Sequence, residues 1–417
     1  YNFIDLAFMA FEPVNGVASL DNIPTLVTRA GYHLRGQSSL MLFKQAPYRI
    51  EFWDNFDNDA DYPVLGMPAG SDWALVSPCT DNSLIRNVFG FELGKSMGLT
   101  TVQYRFAEVF INQDGGALMK DDYEGVYTLI QSIKNKKNTL DLKKLKPDDT
   151  EPDKISGGYI LKFEWAVNDT DMLLLECTGA PKISNSAGFS TKPVDPSATC
   201  FDGLELSDPN NPNPQQIAWI TRYVQDFHDA LHTKTMDEWQ KYIDVNSVVG
   251  MHLLNEISCD VDAWRRSHYF YKDRGKALKA GPVWDYNFAF GNFTSTTSGW
   301  HCDKQTIASN DWHKMMWKQQ DFRHLLKLRY SELRKTVLSD ENVDKIIQNI
   351  IDPIKNIGQR NFEAWPMGKC SSMSSGGQWG GGSTFKGDTT WSGQVDSLKI
   401  WTKKRLKNLD SCVTTLP

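Results

Sequence analysis

The stretch VVGMHLLNEISCDVDAWRRSHYFYKDRGKALKAGPVWDYNFAFG, Val248 to Gly291, carries the pattern on which the predicted fold depends. An apolar run typical of a buried helix ends in an acid-rich turn that contains Asp262. Two alternating runs, separated by a turn with a glycine, then predict a β-hairpin that leads to Asp285. We therefore predict that the hairpin brings Asp262 and Asp285 to one end of a sheet.

The chain before this stretch has the pattern of a sheet. Its β-branched and aromatic runs, bounded by Gly, Asn and Asp, predict strands over residues 25–36, 48–53, 104–112, 125–133 and 157–165. Residues 81–98 carry apolar side chains at helical spacing, with Asp81 as the expected N-cap and Gly98 beyond the end.

Helical periodicity dominates the chain after residue 214. Helices are predicted over residues 214–233, 245–257, 313–338, 341–357 and 395–410, with Pro353 kinking or splitting the fourth. We predict a β-rich region over residues 1–177, a surface segment over 178–214 and a helical region over 215–417. The Ser- and Gly-rich run 370–383 is predicted to be a loop.

Composition narrows the class of protein. A net charge of −6 argues against a protein built mainly to bind nucleic acid. The sequence contains no run of about 18 apolar residues, so no membrane span is predicted. The first residues lack the charged and small-residue regions of a signal peptide. We therefore expect that Tyr1 is the first residue of a processed or trimmed chain.

Seven scattered cysteines, several in polar contexts, favour an oxidising compartment and a natural count of three disulfides and one thiol. Sequons at Asn168 and Asn292 are compatible with secretion. The chain is thus expected to be secreted or exposed at the cell surface. The pairing of the cysteines and the oligomeric state do not follow from the sequence.

Two acids that flank a hairpin suit phosphoryl transfer, because one acid can orient the acceptor hydroxyl while the other holds magnesium against the phosphates. In protein kinases an Asn that also holds metal follows the first acid by five positions. Here Ser267 occupies that position after Asp262.

The segments LRGQSS, KQAPYRIEF, LGMP, DWAL, SLIRN, EVFIN, GVYTLIQSI, GPVWDYNFAFG and VDSLKIWTKKRL occur in this order over nearly the whole chain. In this order they resemble the CotH family of spore-coat-type atypical protein kinases. The resemblance implies an α+β, two-lobed, kinase-like fold with a β-rich N-lobe and a mostly helical C-lobe. It also implies ATP and Mg²⁺ or Mn²⁺ as cofactors.

Carried onto this sequence, the resemblance makes Asp262 the catalytic acid and Asp285 the metal-chelating acid. It places the phosphate contacts on Arg35 and Lys44, with Arg86 as a further cation. Gly36 lacks a side chain, so backbone amides there could approach the triphosphate.

Three positions depart from the family pattern by carrying a neutral residue. Ser267 and Asn287 are predicted to hold the metal together with Asp285. Relatives usually have Asn at the position of Ser267 and often have Asp at the position of Asn287. Gln131 lies where relatives often have Glu. These replacements lower the expected catalytic power and leave both acids in place.

Simpler interpretations exist for the same residues. Asp285 could cap a turn, and Asp262 could belong to a surface ion-pair cluster with the arginines that follow it. Arg35 and Lys44 could be charges that protect a sheet edge. A lysine group is expected to be a solvated face, with docking of an acidic substrate as the alternative; it comprises Lys134, Lys136, Lys137, Lys143, Lys144 and Lys146.

The run HDALH puts His228 and His232 one turn apart and resembles part of a zinc motif, although an amphipathic core helix explains it better. The 14 Trp and 14 Tyr residues suit either glycan binding or an aromatic core. We predict a secreted kinase that transfers the ATP γ-phosphoryl group to Ser or Thr of extracellular proteins. The alternative is a weak or inactive kinase-like adhesion protein.

Overall fold

The computed structural model describes residues 3–36, 39–40, 43–163, 173–177, 203–264, 266–293, 296–304, 312–366, 369–370 and 389–417. These residues form a mixed α/β protein with two compact units. The first unit comprises Tyr1–Ile85, Val102–Ile133 and Asn349–Ser397. The second comprises Arg86–Thr101, Lys134–Gln348 and Leu398–Pro417.

The strands in chain order are β1 (Ile4–Ala10), β2 (Leu26–Leu34), β3 (Tyr48–Trp53), β4 (Tyr62–Val64), β5 (Met67–Gly70), β6 (Asp72–Val76), β7 (Tyr104–Phe110), β8 (Tyr123–Gln131), β9 (Tyr159–Phe163), β10 (Leu204–Asp208), β11 (His268–Lys272) and β12 (Lys279–Ala280). The helices are α1 (Arg86–Ser96), α2 (Pro214–Thr233), α3 (Met236–Trp239), α4 (Val245–Ser258), α5 (His301–Lys304), α6 (Trp312–Lys318), α7 (Gln320–Arg334), α8 (Asp340–Ile351), α9 (Lys355–Ala364) and α10 (Trp391–Thr414).

An antiparallel sheet with the order β1-β2-β3-β6-β8-β7 dominates the first unit. Strand β1 alternates between exposed and more buried residues, whereas β6 and most of β8 are buried on both faces. The core of the sheet contains Phe52, Trp73, Tyr127 and Leu129, each with at most 1% exposure. The first four strands predicted from the sequence are β2, β3, β7 and β8, so those predictions are confirmed.

Helix α9 packs on the middle of β8 in the same unit. The side chain of Asn361 accepts a hydrogen bond from the backbone N–H of Val126 (2.7 Å), and the indole of Trp365 donates to the Glu124 carbonyl (2.9 Å). A disulfide joins Cys79 to Cys370, which both belong to this unit and are 291 positions apart in the chain. Such a crosslink stabilises the folded state by restricting the unfolded chain.

The second unit is built around an antiparallel sheet with the order β10-β9-β11-β12. Strand β9 confirms the fifth strand prediction. The pairing of β11 with β12 confirms the predicted hairpin, although β12 is only two residues long. Residues 178–202 of the predicted surface segment, like most of the predicted loop 370–383, lie outside the described residues. The proposed regional bounds stay a prediction.

Two helices of the second unit, α2 and α4, begin at residues whose side chains cap them. The Asn213 side chain accepts from the Gln216 N–H (3.0 Å), and Pro214 is the first helical residue of α2. Asp244 caps α4 by accepting from the Ser247 N–H (2.9 Å). The helix predicted over 313–338 is divided at Gln319 into α6 and α7. Pro353 lies in a 3₁₀ turn that separates α8 from α9, as predicted.

The prediction that Asp81 caps the first helix is wrong. The Asp81 carboxylate instead accepts hydrogen bonds from the N–H (3.0 Å) and hydroxyl (2.6 Å) of Ser83, and α1 begins only at Arg86. The reason is that Leu84 has a positive φ of 67°, which interrupts a right-handed helix. Gly98 lies beyond the end of α1 as predicted.

The predicted count of three disulfides and one thiol is also wrong. Cys177 is disulfide-bonded, but Cys259, Cys302 and Cys412 carry thiols. Cys259 and Cys302 are buried in the second unit. Among the described residues, none of the helices has a stretch both long enough and apolar enough to cross a bilayer.

Candidate functional site

The turn after α4 holds Asp262, which lies on the surface of the second unit. Its side chain is 24% exposed, and one carboxylate oxygen lies 3.9 Å from the guanidinium of Arg266. This distance is at the outer limit of an ion pair, so the contact restrains the carboxylate only weakly. The ion pair expected from the simpler interpretation is therefore present in the structure. The Asp262 carboxylate is still partly exposed, so a ligand can reach it.

Asp285 and Ser267 come together in the second unit. The Ser267 hydroxyl donates a hydrogen bond of 2.9 Å to Oδ2 of Asp285, and Asp285 is half-buried. The two residues are 18 positions apart, and the β11–β12 hairpin lies between them. The hairpin thus positions two of the three residues predicted to hold the metal.

Helices α1 and α4 hold the segment around Asp285 on both sides. The Asn87 side chain accepts from the Tyr286 N–H (2.9 Å), and the Tyr286 hydroxyl bonds to Oδ1 of Asn255 (2.6 Å). The Phe290 N–H donates to the Ser258 carbonyl (2.7 Å). A Cβ at Gly90 would lie 2.8 Å from the Tyr286 side chain, so α1 could not approach this closely with a larger residue.

The backbone of this region is strained at several residues. Cys259, Trp264, Ser267, Asp285 and Phe290 all have φ between 48° and 67°. Residues other than glycine avoid this left-handed region, and they occupy it mainly where the surroundings enforce it. Such strain is concentrated at functional sites, which supports assigning one to this segment.

Arg86 and Asn287 are the remaining predicted site residues of the second unit. The guanidinium of Arg86 is buried, and its Nε donates to the Phe290 carbonyl (3.3 Å). Asn287 accepts at its carbonyl from the Asn292 side-chain amide (2.6 Å). Because Asn292 is only 3% exposed, its amide nitrogen is poorly placed to carry a glycan in the folded chain. Asn168 lies outside the described residues.

Arg35, Gly36 and Lys44, which are predicted to contact phosphate, belong to the first unit, whereas Arg86 belongs to the second. Arg35 is half-buried and its N–H donates to the Pro47 carbonyl (3.0 Å), whereas Lys44 is exposed. Gly36 has a φ of 96°, and a Cβ there would collide with the Ser39 hydroxyl. This position therefore requires glycine. Gln131 is buried on β8. The roles of these residues toward a nucleotide stay predictions.

One group of residues able to hold a metal was not predicted. His252, Glu256 and Cys302 are buried, and their ligand atoms lie within 4.8 Å of one another in the described part of the chain. The spacing of His252 and Glu256, four residues apart on a helix, is a signal that the sequence does contain. The group does not include His228, whose Nδ1 accepts a hydrogen bond from the Trp312 indole (2.9 Å) in the core.

The profile of the CotH kinase protein family matches residues 32–409, which are most of the chain. No curated protein matches the chain. The match includes every site residue predicted from the sequence and confirms the resemblance stated above. Membership of this family suggests a kinase-like phosphotransferase that uses ATP and a divalent metal. The chain therefore belongs to the CotH kinase protein family.

Proposed function

We propose that this protein transfers the γ-phosphoryl group of ATP to Ser or Thr hydroxyls of extracellular or cell-surface proteins. The observation that carries the proposal is the hydrogen bond between Ser267 and Asp285, in a strained segment held by two helices. A carboxylate held in this way is preorganised, as a metal-binding acid must be. The family match supports kinase-like chemistry in general.

All the side-chain ligand atoms at the predicted metal site are oxygens. Asp285 offers a carboxylate, Ser267 a hydroxyl and Asn287 an amide oxygen. Mg²⁺ prefers oxygen ligands and is commonly held by one or two carboxylates together with substrate phosphates. The residues present therefore fit Mg²⁺ or Mn²⁺, which when bound would neutralise charge on the β- and γ-phosphates.

In this proposal, Asp262 orients the acceptor hydroxyl and accepts its proton. Its partial exposure and weak contact with Arg266 suit a carboxylate that must reach an incoming side chain. Arg35, Lys44 and Arg86 would neutralise the remaining phosphate charge, and amides near Gly36 would approach the triphosphate. The proposal includes a two-lobed, kinase-like arrangement of the chain.

The test measures phosphate transfer from radiolabelled ATP to a panel of secreted proteins. Asp285→Ala is expected to lower the rate about 1,000-fold, because the missing acid acts mainly in the transition state. Asp285→Asn provides a second variant that preserves the shape of the side chain. The matched control is Asp226→Ala, which removes an exposed acid from α2 and should leave the rate unchanged. Equal transfer by the parent and both Asp285 variants would refute the mechanism.

A second candidate function is an adhesion or matrix protein that retains the fold without turnover. The neutral residues at positions 131, 267 and 287 favour it, because each replaces a strong metal ligand or ion-pair partner. Thermal unfolding with ATP and Mg²⁺ separates the two candidates, because a ligand that binds only the folded state raises the melting temperature. An unchanged melting temperature at millimolar ATP would favour the adhesion protein.

A further inference from the structure

The buried group formed by His252, Glu256 and Cys302 has the composition of a zinc site. His252 and Glu256 lie four residues apart on α4, so their side chains share one face of the helix. Cys302 lies in α5. All three residues are at most 5% exposed, and Nε2 of His252 lies 3.7 Å from Oε1 of Glu256.

The two carboxylate oxygens of Glu256 have different partners. Oε2 accepts hydrogen bonds from the Arg405 guanidinium (3.1 Å) and from the His301 N–H (2.6 Å). Oε1 accepts from the Cys302 N–H (2.8 Å) and faces the His252 ring. Arg405 therefore neutralises the carboxylate at one oxygen, while the other oxygen is directed towards an imidazole and a thiol.

The His252 ring is the unexplained part of this arrangement. Its Nε2 atom has no hydrogen-bond partner among the described residues, although the side chain is 2% exposed. A buried nitrogen in that state has lost its hydrogen bonds to water and requires an explanation. A neutral imidazole nitrogen can present a lone pair to a ligand.

We propose that His252, Glu256 and Cys302 bind one zinc ion in the second unit. Imidazole nitrogen, thiolate sulfur and carboxylate oxygen are the ligands that zinc prefers. The usual bond lengths of a tetrahedral zinc site place ligand atoms about 3.3–3.8 Å apart, and the separation of 3.7 Å between His252 and Glu256 fits this range. On binding, the Cys302 thiol loses its proton to solvent and becomes the sulfur ligand.

This zinc site is distinct from the magnesium site proposed at Asp285 and does not depend on phosphate transfer. It would connect the last two turns of α4 to α5, and α4 leads directly into the turn that holds Asp262. We therefore assign it a structural role, which is to fix the end of α4.

The first experiment measures zinc in the purified full chain by mass spectrometry of the metal. The parent is expected to hold about one zinc per chain, which is the capacity of a single site. Cys302→Ser and His252→Gln should each retain less than about a tenth of that amount, since each removes one of three ligands. The matched control is Cys412→Ser, which removes a thiol outside the site and should bind zinc as the parent does.

The second experiment does not need the variants to fold. The parent, stripped of metal, is titrated with Co²⁺, whose bond to a thiolate gives a charge-transfer absorption in the near ultraviolet. We expect this absorption to saturate at about one equivalent and to disappear when excess Zn²⁺ is added. A folded parent that contains no zinc and gives no such absorption would overturn the proposal, as would full zinc occupancy in Cys302→Ser.

Discussion

The six-stranded sheet of the first unit and residues 259–290 of the second unit use the left-handed backbone region differently. In the first unit, Asn15 and Asp57 tolerate this region well and Leu65 and Leu84 tolerate it poorly, and the four residues are spread over separate connections between residues 15 and 84. In the second unit, the same conformation is concentrated between residues 259 and 290, where Cys259, Trp264 and Phe290 tolerate it poorly. Each such residue costs on the order of 1–3 kcal/mol, which the surroundings must offset.

The support for the strained segment is polar as well as apolar. Glu256 and Arg405 are both fully buried, and Arg405 also donates to the carbonyls of Thr297 and Gly299 (2.8 and 2.6 Å). The core of the first sheet instead consists of apolar and aromatic side chains. The sheet is thus stabilised by packing along regular strands, whereas the candidate site depends on a few buried hydrogen bonds.

The largest expected effect follows from breaking that polar support. Arg405→Met should destabilise the protein by about 3–5 kcal/mol, because the Glu256 carboxylate would stay buried without its cation. The matched control is Arg360→Met in the first unit, where the pair with Glu108 is 56% exposed on the Arg360 side and should cost about 1 kcal/mol or less. Chemical denaturation measures both losses, and equal losses would contradict the comparison.

Acid should also affect the two units unequally. His313 is buried in the second unit, and burial places its pKa well below 6.5; the imidazoles of His252, His268 and His301 and the Lys314 ammonium lower it further. The unfolded chain therefore binds this proton more readily than the folded chain. The stabilisation is complete above pH 6.5 and falls by about 1.4 kcal/mol for each pH unit below it.

Denaturation at pH 7 and pH 5 measures this effect, and His313→Leu should reduce the difference, while His252 and His268, whose pKa values burial also lowers, contribute the remainder. Hydrogen exchange at both pH values shows which of the two units loses stability. We expect amides of the second unit to lose protection first in acid. Acid loss that is unchanged in His313→Leu would show that other groups cause it.

The smallest expected effect concerns the neutral residue at position 267. Ser267→Asn restores the amide oxygen that kinases place there, and Asn tolerates the φ of 49° at this position. If the site transfers phosphate, the rate constant kcat/KM for ATP should rise about 3–10-fold at limiting Mg²⁺. The control is Ser331→Asn on the exposed face of α7, which should leave kcat/KM unchanged. A lower rate in Ser267→Asn would show that the bond from the Ser267 hydroxyl to Asp285 matters more than the added ligand.

Local patterns predicted most of the elements. Alternation over residues 48–53 and 104–112 gave β3 and β7, and a period of 3.6 residues gave α2 and α4, since both patterns lie within one element. The start of α1 was predicted wrongly because the left-handed Leu84 leaves no mark in the apolar pattern. The hairpin, itself a local signal, was predicted to bring Asp262 and Asp285 to one end of a sheet, whereas the contact observed across it joins Ser267 to Asp285.

Contacts between distant parts of the chain could not be predicted in this way. Glu256 and Arg405 are 149 residues apart, and neither is distinguishable in the sequence from an exposed charge. Asn361 and Val126 are 235 residues apart, yet their bond fixes α9 on β8. Cys302 looks like any other scattered cysteine until the fold brings it to His252 and Glu256.

The late position of Arg405 has a consequence for synthesis. A ribosome that adds about 5–20 residues per second needs on the order of 7–30 seconds to proceed from Glu256 to Arg405. During that time the nascent chain holds a carboxylate at the end of α4 without the cation that the finished protein supplies. The emergence of Arg405 therefore completes the support beneath the candidate site, and a chain cut short before residue 405 would lack it.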